Sequence, residues 1–295
     1  MKQAVLLAIV ACCCATRSQA AQRYQVTGLI LKIDRPHRNF VASCTAIPGY
    51  MEAMVMPFSV LQEKALDGLQ EGKMVDFTLV VEAKDSHAEK IHIHEYQSAE
   101  NEPILARRLQ LLSKVGETDP AMSELAPGQR VPDFTFTDQA NRPISLSQFS
   151  GKVVAVTFVY TSCPLPNYCF RLSNNFGRLQ KRFAAQMGRD LVLLSITFDP
   201  VHDRPEVLAK YGATWHADPN SWHFLTGSVA DVQAVSRKFG VDSWPDESTL
   251  THSLHTAVIG RDGKLAANFE GNEITAVQLG DYVATILSQP RQGAR

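Results

Sequence analysis

The sequence predicts an α/β sandwich preceded by a small all-β domain, and three observations carry that prediction. Residues 153–160 and 191–198 are almost wholly apolar runs, the pattern of strands buried on both faces of a sheet. Between and beyond them, apolar residues recur at helical spacing, as with Phe176, Leu179 and Phe183. Upstream, residues 25–96 hold short alternating or apolar runs separated by turn residues.

Composition narrows the classes. The 295 residues suffice for two domains; 45% are hydrophobic and 20% charged, as in an ordinary globular protein. A formal net charge of −1 gives no electrostatic case for nucleic acid or anionic lipid. The first twenty residues have a basic start at Lys2, an apolar run over residues 5–15 and small residues at Ser18 and Ala20. That is a signal peptide, so residues 1–20 predict export, to a periplasm. The tetrapeptide Ile9-Val10-Ala11-Cys12 loosely matches a lipobox, and the alternative reading is a lipid anchor on Cys12. Elsewhere no stretch approaches the ~18 apolar residues of a membrane span.

Export removes Cys12, Cys13 and Cys14 from the mature chain and leaves Cys44, Cys163 and Cys169. Three thiols are too few for a disulfide scaffold and odd in number, which directs attention to redox chemistry or metal.

The first domain, residues 24–97, reads as strands at 26–34, 39–42, 74–81 and 90–96, a small OB-like barrel. Met51, Met54 and Met56 fall within six positions, downstream of Cys44. Met54 and Met56 are two apart, so on a strand both thioethers face one side. Soft sulfur donors favour Cu(I), although a single methionine is more often core filler. This stretch resembles the CusF-like periplasmic copper-binding domains through its Met-x-Met pair, Met54 and Met56. In that alignment Cys44 takes the place of an upstream histidine, and Met51 that of a tryptophan capping the metal. The resemblance thus implies a second metal site built from Cys44, Met51, Met54 and Met56. His92 and His94, with His87 nearby, read as the wet face of an alternating strand.

Residues 98–125 form a linker with one helix, marked by Ile104, Leu105, Leu109, Leu111 and Leu112. The second domain, residues 126–290, opens with strands at 134–138 and 143–149 and the central strand at 153–160. A helix over 172–187 and the strand at 191–198 follow. Asp203 reads as the N-cap of a capping box with Glu206, opening a helix through Tyr211. A helix over 228–239, a hairpin of 254–259 and 265–269, and a helix over 273–287 complete a thioredoxin-like α/β pattern. Pro164 stops the central strand, and Cys163 and Cys169 lie just past its carboxyl end, where open α/β sheets bind ligands.

Several segments recur in the order and spacing of the Sco (SenC) family, which the second domain therefore resembles. They are residues 129–134, the strand leading to Cys163, Thr197-Phe198-Asp199-Pro200 with Asp203 and Pro205, His252-Ser253, and residues 259–263. The resemblance implies a thioredoxin-fold copper chaperone that serves the copper centre of a respiratory cytochrome oxidase. It implies Cys163, Cys169 and His252 as ligands of Cu(I) or Cu(II), and an oxidase subunit as the copper acceptor. His252 is expected to begin a strand beside the cysteine strand, with Asp199 orienting its ring and His255 facing away. The usual spacing places three residues between the cysteines; here there are five, and Phe170 stands where proline is common. The expected function is an exported copper-handling protein, a metallochaperone in place of an enzyme. The alternative is a thiol–disulfide oxidoreductase acting through Cys163 and Cys169.

Overall fold

A computed structural model describes residues 21–94, 96, 124–164, 166–241, 243–246 and 249–290, with the side chains of 243–246 and 249–252 excepted. Residues 1–20, expected to be a signal peptide, and nearly all of residues 98–125, expected to be a linker with one helix, lie outside these residues. No described helix is long and apolar enough to cross a membrane.

The first domain is a five-stranded antiparallel sheet of β1 (Gln22–Asp34), β2 (Asn39–Cys44), β3 (Met54–Ser59), β4 (Met74–Val81) and β5 (Ser86–Ile93). The order is β3-β2-β1-β4-β5, and no described ladder joins β3 to β5, so the hydrogen bonding does not close the expected barrel. The last strand begins four residues earlier than the sequence suggested and ends three earlier. A bulge lies within it, with Lys90 at φ 52° where the register shifts opposite Asp76 and Thr78. Phe40 and Phe58 stack, and both meet Phe77 edge-on, in the core of this domain with Ile30, Ala42 and Cys44.

The second domain begins with β6 (Thr135–Asp138), β7 (Pro143–Ser145) and the central β8 (Val153–Val159). α1 (Arg171–Arg182), β9 (Leu191–Thr197), α2 (Pro205–Thr214), β10 (Trp222–Thr226) and α3 (Val229–Lys238) continue it. The small hairpin β11 (Ser243–Asp246) and β12 (Thr249–His252) precedes β13 (His255–Ile259), β14 (Leu265–Glu270) and α4 (Ala276–Ser288). The seven-stranded sheet runs β14-β13-β8-β9-β10-β6-β7. β8, β9 and β10 are parallel, and β13 joins β8 antiparallel with Ala257 opposite Val156. Every residue of β8 and β9 is buried, and alternate residues feed two cores, one on each face. β10 was not legible in the sequence, because its five residues are as short as a loop between two helices.

Three elements depart from expectation for clear reasons. α2 is capped at Arg204 without a side-chain hydrogen bond, because Asp203 turns inward and serves the site described below. α4 does carry a capping box, from Thr275 and Gln278. His252 ends β12, paired with Ser243, and is therefore not the first residue of the strand beside the cysteine strand. That place belongs to His255, whose ring is buried against Asn268 and whose pKa burial depresses to about 4.

The two domains share one core. Leu29 and Leu31 of β1 are buried in the same cluster as Leu279, Tyr282 and Val283 of α4. The Ser43 hydroxyl donates to Asp281 at 2.6 Å, and the Gln278 amide donates to the Ser43 carbonyl at 3.3 Å. Asp281 also accepts from Arg182 at 2.7 Å, so α1, α4 and the first domain meet at one carboxylate.

Candidate metal centre

The chain leaves β8 through Tyr160 and Thr161, and the turn is fixed by Asp203. This fully buried carboxylate accepts from the Thr161 amide at 3.0 Å, the Thr161 hydroxyl at 2.5 Å and the Thr197 hydroxyl at 2.6 Å. It thereby ties the ends of β8 and β9 together beneath the cysteine loop. Burial raises the Asp203 pKa despite these donors, and the nearby Asp199 adds to the rise.

Beyond the turn, Cys163 is partly exposed and Cys169 is 1% exposed, packed in the core with Tyr160, Leu172 and Leu254. Residues Pro166–Phe170 form a wide helical turn broken at Tyr168 (φ −107°, ψ −110°), which absorbs the longer loop and returns Cys169 to Cys163. Neither cysteine is in a disulfide. The hydrogen bond with Cys163 comes first, burial second, in pushing the Cys169 thiol well above its ordinary pKa. A proton held this strongly leaves when a cation takes its place, and metal binding to such a pair releases protons.

Sequence reasoning missed two neighbours. Tyr211 of α2 lies close enough to both cysteines for their charge to act on it, though burial is the main cause of its pKa near 12. Its hydroxyl is 2.9 Å from that of Ser173. Phe170, 59% exposed, packs edge-on against Trp215 at 4.7 Å between ring centroids. An aromatic wall thus borders the thiols, with no spacing signal that could have announced it.

Of the remaining expected ligands, His252 has its backbone on the hairpin edge and its side chain lies outside the described residues. The Asp199 carboxylate meets the exposed His202 at 2.9 Å. Among the described residues no three His, Cys, Asp or Glu side chains gather as a metal-binding group.

In the first domain the ladder places Cys44 opposite Met54 and Ala42 opposite Met56, so the cysteine and both methionines share one sheet face. Met51 bridges back to Ile47 and packs on the same core as Met56. Exposure grades across the set, from 1% at Cys44 to 47% at Met54. The Cys44 thiol lies over Gly28, where a Cβ would stand 2.9 Å from its sulfur. Burial raises its pKa to about 12. His92 is solvent-exposed, as expected of a wet face, but His94 is not. His94 sits between Asp76 and Glu273 at 2.6 and 2.7 Å, in the seam between the domains.

Comparison with known proteins agrees with both halves. The SCO1/SenC family model matches residues 123–288, and the model described as copper binding periplasmic protein CusF matches residues 23–93. The SCO1 protein homolog of Bacillus subtilis is 29% identical over 161 residues, covering 53% of this chain and 79% of its own. A SCO2-like protein of Rickettsia typhi is 28% identical over 145 residues, covering 46% of this chain and 68% of its own. Among solved structures, BsSco aligns with a TM-score of 0.48 at 26% identity over 56% of this chain and 98% of its own. Copper-bound ScoI of Bradyrhizobium japonicum aligns with a TM-score of 0.46 at 20% identity over 54% and 98%.

Proposed function

The chain belongs to the SCO1/SenC family, and on that premise we propose that it is an exported copper-handling protein with two sites. One site is the pair Cys163 and Cys169 with His252 as third ligand; the other is Cys44, Met51, Met54 and Met56. Copper is the cargo, and the acceptor is a copper-binding subunit of a respiratory cytochrome oxidase. The observation that carries the reading is the meeting of two cysteines that form no disulfide past the carboxyl end of β8, one buried and one partly exposed. Two thiolates and an imidazole suit copper in either oxidation state, and thioethers favour Cu(I). The CusF match over residues 23–93 supports the second site.

A thiol–disulfide oxidoreductase is the second reading, since the partly exposed Cys163 could attack and the buried Cys169 resolve. Reactive thiols of that class carry depressed pKa values in electropositive surroundings. Cys169 is the resolving thiol in that reading, so its raised pKa fits either one; the CusF match in the same chain favours metal.

The deciding experiment is anaerobic Cu(I) titration of the reduced protein against a competing chelator. Wild type should hold two Cu(I), with Cys163→Ser/Cys169→Ser and Met54→Leu/Met56→Leu each losing one. Weak copper binding together with rapid dithiol cycling of the cysteine pair would transfer the assignment to the oxidoreductase. Loss of a ligand at His252→Ala should lower affinity at the first site; an unchanged affinity removes His252 from it.

A further inference from the structure

The short corner between β14 and α4, residues 271–273, touches the turn that carries Cys169, the segment after His252 and the first domain. Gly271 has φ +80°, and its amide donates to the Leu254 carbonyl at 2.7 Å, two residues beyond His252. The ring of Tyr96, the last described residue of the first domain, lies where a Cβ on Gly271 would stand. Only glycine fits, by conformation and by space. The Asn272 amide donates to the Asn167 carbonyl at 2.6 Å, inside the turn that carries Cys169. The Tyr96 hydroxyl donates to the other end of the same amide, Oδ1 of Asn272, at 3.3 Å. Beside it the Glu273 carboxylate meets His94 at 2.7 Å, and the Glu273 carbonyl accepts from Arg171, two residues past Cys169, at 3.4 Å.

We infer that Asn272 is a positioning residue for the Cys163/Cys169 pair, and that the first domain holds it in place through Tyr96. The inference rests on the thiol pair as the working site. The enlarged cysteine loop has two residues more than the family spacing, and a longer loop orders at a higher entropic cost unless something braces it. Asn272 supplies the brace from within the domain, and Tyr96 fixes its amide from outside. Side chains that orient a sulfur ligand in this way alter its affinity and exchange equilibrium without touching the metal.

The test is made on the metal-free full-length protein, equilibrated with mixtures of reduced and oxidised dithiothreitol. Oxidation of the pair removes two electrons and two protons from the thiols and passes them to the cyclic disulfide of the reagent. Tyr96→Phe keeps the ring over Gly271 and removes one hydroxyl, so folding is preserved; a thermal melt confirms it. The inference expects Tyr96→Phe and Asn272→Ala to shift the thiol–disulfide equilibrium constant in the same direction, each by about threefold to tenfold. The double variant should shift it no further than Asn272→Ala alone. An equilibrium within twofold of wild type for both single variants, or effects that simply add in the double variant, would overturn it. Because no copper is present, a protein that fails to bind copper at this site can still pass, and one that binds copper can still fail.

Discussion

The two sulfur-rich regions present their donors in opposite ways. In the first domain the donors sit on a ladder, with Met54 opposite Cys44 and Met56 opposite Ala42, so register alone assembles the set. In the second, Cys163 and Cys169 sit on a loop that Asp203 anchors at one end and Asn272 within. Thioethers carry no proton, whereas both cysteines of the pair must surrender theirs to a metal. A strand can hold neutral donors with no further machinery. A thiol pair on a loop needs a scaffold that fixes the loop and tolerates the charge change.

The largest test of this contrast is pH. With Met54→Leu/Met56→Leu isolating the thiol site, Cu(I) affinity should fall by about tenfold per pH unit for each proton released as the solution is acidified. With Cys163→Ser/Cys169→Ser isolating the methionine site, affinity should fall by no more than about tenfold per pH unit, because Cys44 is the one donor there that carries a proton. A slope of about tenfold per unit there would show that Cys44 binds as thiolate despite its raised pKa.

Next in size is the anchor. Asp203→Ala leaves the Thr161 amide and two hydroxyls without their acceptor and should cost about 1–3 kcal/mol in urea unfolding. Asp203→Asn should retain part of that stability. Loss of the thiol contact without loss of stability would mean that Asp203 acts on the loop alone.

A smaller effect concerns the seam between the domains. Both ring nitrogens of His94 face carboxylates, which favours the imidazolium. Burial opposes the charge, yet the hydrogen bonds to Glu273 and Asp76 raise the His94 pKa above 6.5 overall. A raised folded-state pKa gives stability that is fully present below the unfolded value and lost as pH rises through the folded one. Asp76 has a lowered pKa, so its share fades as the solution becomes strongly acidic. The stability difference between wild type and His94→Gln should therefore be greatest in mildly acidic solution, below about 1 kcal/mol, and vanish toward alkaline pH. A difference independent of pH would refute the charged clasp. The smallest effect belongs to Met54→Leu/Met56→Leu, a volume-conserving change at the rim that should alter unfolding free energy by under about 0.5 kcal/mol.

Much of this arrangement was readable in the chain itself. The buried runs that become β8 and β9, the hairpin of β13 and β14, and the two sulfur clusters all follow from local apolar pattern and residue type. Local pattern cannot report what packs on the outer side of an element. Leu29 and Leu31 looked like ordinary strand residues, and only the docking of α4 explains why that strand is apolar on both faces. Asp203 and Glu206 have capping-box spacing, but a buried acceptor that satisfies three donors at the sheet end outweighs one helix cap. His94 had the alternation of a solvent face until a second domain brought Glu273 against it. Residue type and spacing determined which atoms could bind copper. Which of them meet, how strongly each holds its proton and what braces the loop depend on contacts between residues far apart in sequence, and those exist only once the two domains have packed.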